Sequence, residues 1–317
     1  MSIYVARRGL SMNYRDSKYI LMYLIIAEII ACFLAYCSHL NGELIGLYIM
    51  ILPSSSIVII KFLNKCEKLI IFDYIIFTYF TIFNICIIAH FIMIYNGLDA
   101  QKFLNEFLLN LGSIASIAVL VDSFIHSNDE NYKLDVFRNL AKGFYYLFAI
   151  LFLNIILIIL FRFDYSSTLK TVVISFFAIA SANIFFLGEE YCWRGYLQGM
   201  LQQKFGKRKG ILLLSFIWET WHIPLWYTYY KVDFIGNIVR YLAVLGLTIV
   251  LGYVYMKTRN LWICALIHFV NNSISGAIGS VEVNKETLFI TSKLGYLIII
   301  LSFVFIIIFS TKEFRDT

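Results

Sequence analysis

Apolar runs of about 20 residues recur along the whole chain, which is the length that a helix needs to cross the hydrocarbon core of a bilayer. Of the 317 residues, 61% are hydrophobic and only 15% are charged. A soluble domain of this size does not carry so much apolar surface. The sequence therefore predicts an all-α fold, a polytopic membrane helical bundle. The protein is expected to be an integral, multi-pass membrane protein, and its Ile-, Lys- and Asn-rich usage favours a bacterial cell membrane.

Ten apolar segments are predicted as membrane-spanning helices. Their approximate ranges are 19–39, 43–61, 69–95, 106–126, 142–162, 170–200, 210–226, 234–256, 261–279 and 288–310. Lys and Arg are roughly three times as frequent in the segments that this count places inside as in those outside, and the bias alternates from loop to loop. The positive-inside rule therefore predicts that both termini are cytoplasmic.

The formal net charge of +6 follows this topology, so it does not indicate binding to nucleic acid. The six cysteines include no Cys-x-x-Cys pair, which favours neither a disulfide framework nor a zinc knuckle. Residues 1–18 are too polar for a cleavable signal, so the first helix is expected to be retained as an anchor. The lipid bilayer is the one partner that composition predicts.

Three charges lie close together in the predicted sixth helix, namely Glu189, Glu190 and Arg194. A charge at the centre of a membrane helix costs about 2.5–3.5 kcal/mol on insertion scales, so this cluster requires a strong reason. Glu190 and Arg194 are four residues apart on one helix face and can form an ion pair. Glu189 is turned away from that face toward a possible cavity, where a carboxylate can act as a general base. An ion cluster that only fixes helix packing is the alternative.

Two later helices carry further polar residues. The predicted seventh helix contains Trp218, Glu219 and His222, and a neutral imidazole there can hold a water or accept a proton. Glu219 is expected to be a partner of His222 or a solvated group. His268 and Asn272 are four apart on one face of the predicted ninth helix, where two hydrogen-bond donors suit an oxyanion hole or polar contacts between helices.

The depths of these residues in the membrane are compatible with one site. With a rise of about 1.5 Å per residue, four side chains fall at or inside the cytoplasmic half of their helices. They are Glu189, His222, His268 and Asn272. The sequence therefore permits them to meet around one water in a cavity that opens to the cytosol.

Other polar and aromatic residues near the predicted helix ends are expected at the membrane interface. The charged ones are Asp73, Asp122 and Arg240. The aromatic ones include Trp221 and Trp226, at the outer end of the predicted seventh helix.

At these positions the chain resembles the CPBP family of intramembrane endopeptidases, which includes CAAX prenyl proteases and Abi-like bacteriocin-processing or immunity proteins. The first family motif, Glu-Glu-x-x-x-Arg, is met by Glu189, Glu190 and Arg194. The second, Phe-x-x-x-His, is met by His222 with Trp218 in place of the phenylalanine. Each motif is short, and their order on successive apolar helices makes the resemblance specific.

The third family motif, His-x-x-x-Asn, is met by His268 and Asn272. The resemblance implies a catalytic core over 166–280. Residues 1–165 would then form N-terminal transmembrane helices, partly accessory and partly the start of the core. Residues 281–317 would form the final transmembrane helix and a cytoplasmic tail.

The resemblance implies an endopeptidase that uses glutamate-activated water near the cytoplasmic face to cleave a membrane-associated peptide or a lipid-anchored protein. The catalytic residues would be Glu189, which activates the water, His222, which helps to hold it, and the oxyanion donors His268 and Asn272. The supporting residues would be Glu190, Arg194 and Trp218. The identity of the substrate and the oligomeric state are left open.

No cofactor is favoured, because the chain has no His-Glu-x-x-His pattern and the Glu190–Arg194 pair competes with metal binding. Zinc stays an alternative. Its ligands would be Glu189, Glu190, His222 and His268.

Two other functions are compatible with the sequence. A non-catalytic protein of the CPBP fold could act as a bacteriocin immunity protein or as a membrane scaffold or regulator. An ion-coupled transporter could use the buried charges as a path, but the chain has neither the internal repeats nor the interrupted helices typical of secondary transporters.

Overall fold

The structure is a computed structural model of the 317-residue chain. It describes residues 19–27, 29, 30, 33, 42–64, 67–127, 129, 131–160, 165–226, 232, 234–282, 300 and 305–315. Every regular element in these ranges is a helix, and no strand occurs in them. The prediction of an all-α membrane fold is therefore confirmed.

The helices are named in their order along the chain. Helix α1 covers 19–27. The next elements are α2 (Gly42–Asn64), α3 (Ile71–Tyr95), α4 (Gln101–Ile125), α5 (Leu140–Leu160), α6 (Tyr165–Cys192), a π-helix (Trp193–Leu197), α7 (Gln198–Phe205), α8 (Lys207–Thr220), α9 (Ile223–Leu225), α10 (Phe234–Thr258) and α11 (Leu261–Glu282). Near the C-terminus, residues 305–308 are helical and a 3-10 turn covers Lys312–Phe314.

Six helices within the described residues are long and apolar enough to span a membrane. They are Gly42–Leu63, Ile71–Tyr95, Gln101–Ile125, Leu140–Leu160, Leu169–Phe205 and Gly236–Thr258. Leu261–Gly276 is a shorter apolar helix, at the position of the predicted ninth span. The chain is thus an integral, multi-pass membrane protein.

The predicted span 288–310 falls largely outside the described residues, and the span 19–39 falls partly outside them. The predicted seventh span, 210–226, is wrong in its extent, because α8 has 14 residues and ends at Thr220. Pro224 explains the early end, since a proline has no N–H to donate to the carbonyl four residues earlier. The cytoplasmic location of both termini and the division into three domains stay predictions.

The chain divides into two compact units. The first contains the described residues within Met1–Asn131, Ala180–Met200 and Trp221–Lys231. In it, α3 packs against both α2 and α4.

The second half of α6 lies against α3 and α4 in this first unit. A Cβ on Gly112 would lie 2.7 Å from the Phe185 ring, so the glycine allows α6 to approach α4 closely. The Phe185 ring also meets Tyr79 edge-on, with the centroids 6.0 Å apart. Asn183 donates to the carbonyl of Ser116 at 3.0 Å. These contacts hold the part of α6 that leads to the glutamate pair.

The second unit contains the described residues within Tyr132–Ile179, Leu201–Thr220 and Val232–Thr317. Helix α10 packs against α8, α5 and α11 in it. The Trp262 indole donates to the carbonyl of Leu134 at 2.9 Å. Gly143 permits close contact between α5 and α11, because a Cβ there would lie 2.4 Å from Ile263.

Candidate active site

The two glutamates and the arginine of the first motif are buried in the first unit, at the end of α6 and in the π-helix. Arg194 Nε lies 3.2 Å from Glu190 Oε2, so the predicted ion pair is confirmed. Burying both charges is tolerable because each compensates the other, and removing either one would strand its partner in low dielectric.

The π-helix directly after the glutamate pair is a feature that the sequence did not predict. The Gln198 N–H bonds to the carbonyl of Trp193, five residues earlier. Such turns hold one more residue than an α-turn and occur frequently at functional sites. Arg194 and Gly195 lie within it. No residue type in this stretch demands a π-turn, so no sequence pattern could have revealed it.

His222 lies beside Glu189 in the first unit, although the two residues belong to segments well separated in the chain. His222 Nε2 is 3.8 Å from Glu189 Oε1. The Glu189 side chain is 1% exposed and that of His222 is 15% exposed. His222 is not on a helix, as expected from the sequence, but in the turn between α8 and α9. The turn follows from Pro224, which ends α8 before this residue.

The close packing of α6 explains why a glycine precedes Glu189. A Cβ on Gly188 would lie 2.8 Å from the Met50 carbonyl oxygen and 3.4 Å from Ser54 Oγ on α2. Any larger residue would push the backbone of α6 away from α2. The absence of a side chain at Gly188 therefore allows the close contact between α6 and α2 directly before Glu189.

The third motif lies in the second unit, on α11. The Asn272 amide group lies 3.2 Å from His268 Nε2, in hydrogen-bond distance. His268 is buried, whereas Asn272 is exposed. The two predicted oxyanion donors are thus brought together and bonded to each other.

Trp218, the one departure from the family motifs, packs against this pair. The ring centroids of Trp218 and His268 are 5.1 Å apart with the planes at 88°. This edge-on geometry is the preferred arrangement of aromatic rings. The indole and the imidazole therefore meet in an edge-to-face contact.

Glu219 departs from its expected role. It is buried, and its Oε1 lies 3.6 Å from Arg240 Nε on α10. The expectation that Glu219 partners His222 or is solvated was wrong. The expected position of Arg240 at the membrane interface stays a prediction. Trp218 on α8 is turned toward α11. Glu219 is the next residue on the helix, so its side chain points in another direction, toward α10.

Buried charges also connect α2, α3 and the residue after the glutamate pair. Lys61 forms an ion pair with Asp73 and lies 3.1 Å from the Tyr191 hydroxyl. Tyr191 donates to Asp73 at 2.8 Å, and Tyr196 donates to Glu67 at 2.6 Å. Asp73 is fully buried, so its expected exposure at the interface was wrong.

Asp122 was likewise expected at the membrane interface, but it is buried at the end of α4. Its Oδ1 lies 3.0 Å from His126 Nδ1. His126 Nδ1 also lies 3.0 Å from the backbone carbonyl oxygen of Asp122.

Metal-ligand geometry can be tested on the side chains themselves. Among the described residues, no three His, Cys, Asp or Glu side chains form a group that could hold a metal ion. Glu190, a member of the alternative zinc set, faces the cationic Arg194 instead. Zinc stays an alternative, because His268 lies in the other unit from the rest of the set, and the expectation of a metal-free site stays a prediction.

The structure thus brings the predicted residues together in two sets. The first is Glu189, Glu190, Arg194 and His222, and the second is Trp218, His268 and Asn272. Each set lies within one unit. The predicted meeting of both sets around one water stays a prediction.

Residues 168–274 match the family model described as type II CAAX prenyl endopeptidase Rce1-like. Over these residues the chain is similar to that family. The match includes both sets of residues and confirms the resemblance that their motifs carry. The helices before residue 168 lie outside it.

A curated relative supports the same family. The chain is 30% identical over 92 residues to CAAX prenyl protease 2 of Methanococcus maripaludis. The aligned part is 26% of this chain and 34% of that protein. The chain therefore spans about a third of the length of the curated relative it matches.

Proposed function

We propose that this protein is a membrane endopeptidase of the Rce1-like type, which cleaves a peptide bond in a membrane-associated peptide or a lipid-anchored protein near the cytoplasmic face. The observation that carries the proposal is the 3.8 Å distance between Glu189 Oε1 and His222 Nε2. The Glu189 carboxylate, which is the proposed general base, and the His222 imidazole come from two separate segments and lie side by side within the first unit. The match of residues 168–274 to an endopeptidase family supports the same activity.

The distance between these two atoms suits a shared water. It exceeds a direct hydrogen bond, while each atom can still reach a water that lies between them. Glu189 takes one proton from this water, and the water oxygen attacks the carbonyl carbon of the scissile bond. The proton then passes to the amide nitrogen as the C–N bond breaks, which leaves a carboxylic acid and an amine.

Glu190 and Arg194 support the base without taking part in the chemistry. Their ion pair occupies Glu190, so the two adjacent carboxylates have separate roles. The pair also fixes the turn that follows Glu189.

His268 and Asn272 stabilise the negative charge that develops on the substrate carbonyl oxygen. Their hydrogen bond to each other holds them ready on one face of α11. When the oxyanion forms, the Asn272 amide turns its N–H toward it, because an anionic oxygen is a stronger acceptor than an imidazole nitrogen.

The reaction proposed here uses no metal, because Glu190, a member of the candidate zinc set, pairs with the cationic Arg194. Cleavage is therefore expected to continue at the parent rate in the presence of 1,10-phenanthroline or EDTA. Loss of cleavage with the chelator and its recovery on adding zinc would contradict this part of the proposal.

The test uses the purified protein in liposomes with two fluorogenic peptides, one ending in a farnesylated CAAX sequence and one identical but without the lipid. Glu189→Gln and His222→Ala are each expected to lower kcat about 10²–10⁴-fold, the usual contribution of a general acid–base group. Glu219→Gln is the matched control, because it also removes a buried carboxylate but one that pairs with Arg240.

The control is expected to keep the parent kcat. Cleavage by Glu189→Gln at the parent rate would refute the mechanism. A folded parent that cleaves neither peptide would contradict an endopeptidase for these substrates and favour the non-catalytic alternative.

A further inference from the structure

Pro53 leaves one backbone carbonyl of α2 without its usual donor. It lies inside α2, and a proline has no N–H to give to the carbonyl four residues earlier, which is that of Ile49. Both residues are buried. A buried carbonyl needs a donor from elsewhere.

The serines that follow Pro53 do not supply this donor. Ser54 donates to the carbonyl of Ile51 at 2.9 Å. Ser55 and Ser56 both donate to the carbonyl of Leu52, at 2.8 and 3.0 Å. The local hydroxyls are therefore used at other carbonyls.

The donor comes from the segment that carries His222. Trp221 Nε1 donates to the carbonyl oxygen of Ile49 at 2.9 Å, and the contact is buried. Trp221 was expected in an interfacial aromatic belt, and its 2% exposure shows that this expectation was wrong. The indole gives Ile49 the hydrogen bond that Pro53 cannot give.

The next carbonyl on α2, that of Met50, limits the position of Glu189. The Met50 carbonyl oxygen is the atom that a Cβ on Gly188 would meet at 2.8 Å. Two consecutive residues of α2 therefore contact the residues directly before His222 and directly before Glu189. Helix α2 lies outside the segment that matches the family model.

We propose that Pro53 and Trp221 are positioning residues, which act through the Ile49 carbonyl to hold His222 at its distance from Glu189. The proposal rests on the proposed function, since it explains how the base and its imidazole partner are aligned. It makes α2 a part of the catalytic apparatus. The hydrogen bond of the Trp221 indole positions His222, and the contact at Gly188 positions Glu189. Both positions are thereby fixed relative to helix α2.

The first test separates alignment from substrate binding. Trp221→Phe keeps an aromatic ring and removes the donor, and Pro53→Ala gives Ile49 an intrahelical donor that competes with the indole. Both are expected to lower kcat about tenfold or more with KM unchanged, because a small displacement of a reacting group lowers the reaction rate strongly. The double variant is expected to be no slower than Trp221→Phe, since both changes act through one carbonyl.

Trp262→Phe is the matched control. Its indole also donates to a buried backbone carbonyl at 2.9 Å, that of Leu134, in the other unit. It loses the same kind of bond, so it is expected to lose thermal stability but to keep kcat. Pro53→Ala is expected to fold at least as well as the parent, because alanine favours a helix.

The second test reads the hydrogen bond without any activity. The chain has five tryptophans, so each indole N–H signal can be assigned in NMR spectra by single Trp→Phe changes. Pro53→Ala is expected to speed the hydrogen exchange of the Trp221 indole and to leave that of Trp262 unchanged.

The outcomes distinguish the two proposals. If the parent cleaves the peptides while both variants keep its kcat, the positioning role is overturned and the proposed function stands. If the parent cleaves neither peptide, the proposed function fails for them. In that case the hydrogen exchange of the Trp221 indole in Pro53→Ala decides the inference. Unchanged exchange overturns it. Faster exchange supports the hydrogen bond from Trp221 to the Ile49 carbonyl and its dependence on Pro53.

Discussion

The two sets of site residues are held by different forces. In the first unit, Glu189 and Glu190 are buried, an ion pair joins Glu190 to Arg194, and Glu189 lies beside His222. In the second unit, His268 contacts two uncharged side chains, the Asn272 amide at hydrogen-bond distance and the Trp218 indole in an edge-to-face arrangement. A buried charged set is stable only in one arrangement, because every lost partner leaves a charge in low dielectric. A neutral set can exchange partners at little cost, which suits a group that must turn toward a developing charge.

The largest effect is expected from breaking the charged set. Arg194→Met leaves Glu190 without its cation and is expected to destabilise the fold by about 3–5 kcal/mol. Folded yield and thermal unfolding in detergent measure this loss. The double variant Glu190→Gln with Arg194→Met removes both charges and is expected to recover most of the stability. If Arg194→Met keeps the parent yield and unfolding temperature, the ion pair does not hold this set.

A smaller effect, on rate alone, is expected from the neutral set. Asn272→Ala removes one oxyanion donor and is expected to lower kcat about 10²–10³-fold with little change in stability. Asn271→Ala is the matched control, since it removes the same group from the neighbouring helix position. Cleavage kinetics and thermal unfolding are measured together. Equal rates for the two variants would contradict the role of Asn272.

The smallest effect is expected from Trp218→Phe. A phenyl ring can still present its edge to His268, so the change is expected to cost about 1 kcal/mol of stability and to leave kcat close to that of the parent. Thermal unfolding and kcat of the variant are the measurements. A loss of kcat beyond tenfold would mean that the indole does more than support the imidazole.

Features of local origin could be predicted from the sequence. The long apolar helices follow from runs of hydrophobic residues, and the Glu190–Arg194 contact follows from a spacing of four. The contact between His268 and Asn272 has the same origin. The end of α8 before His222 could also have been predicted, because Pro224 is visible in the sequence and its missing N–H is a local property.

Features that depend on packing could not be predicted. The partners in the Lys61–Asp73 and Glu219–Arg240 pairs lie on different helices, and no spacing rule connects them. For that reason Asp73 and Arg240 were expected at the interface. The donor that Pro53 requires is visible in principle, but its source, Trp221, lies far along the chain.

The Lys61–Asp73 pair has a consequence for biosynthesis. The two residues flank the short connection between α2, which ends at Asn64, and α3, which begins at Ile71. A charge at such a site slows entry of a single helix from the translocon into lipid. Paired at the tip of a helical hairpin, the ammonium and the carboxylate neutralise each other, so α2 and α3 are expected to leave the translocon together rather than one after the other.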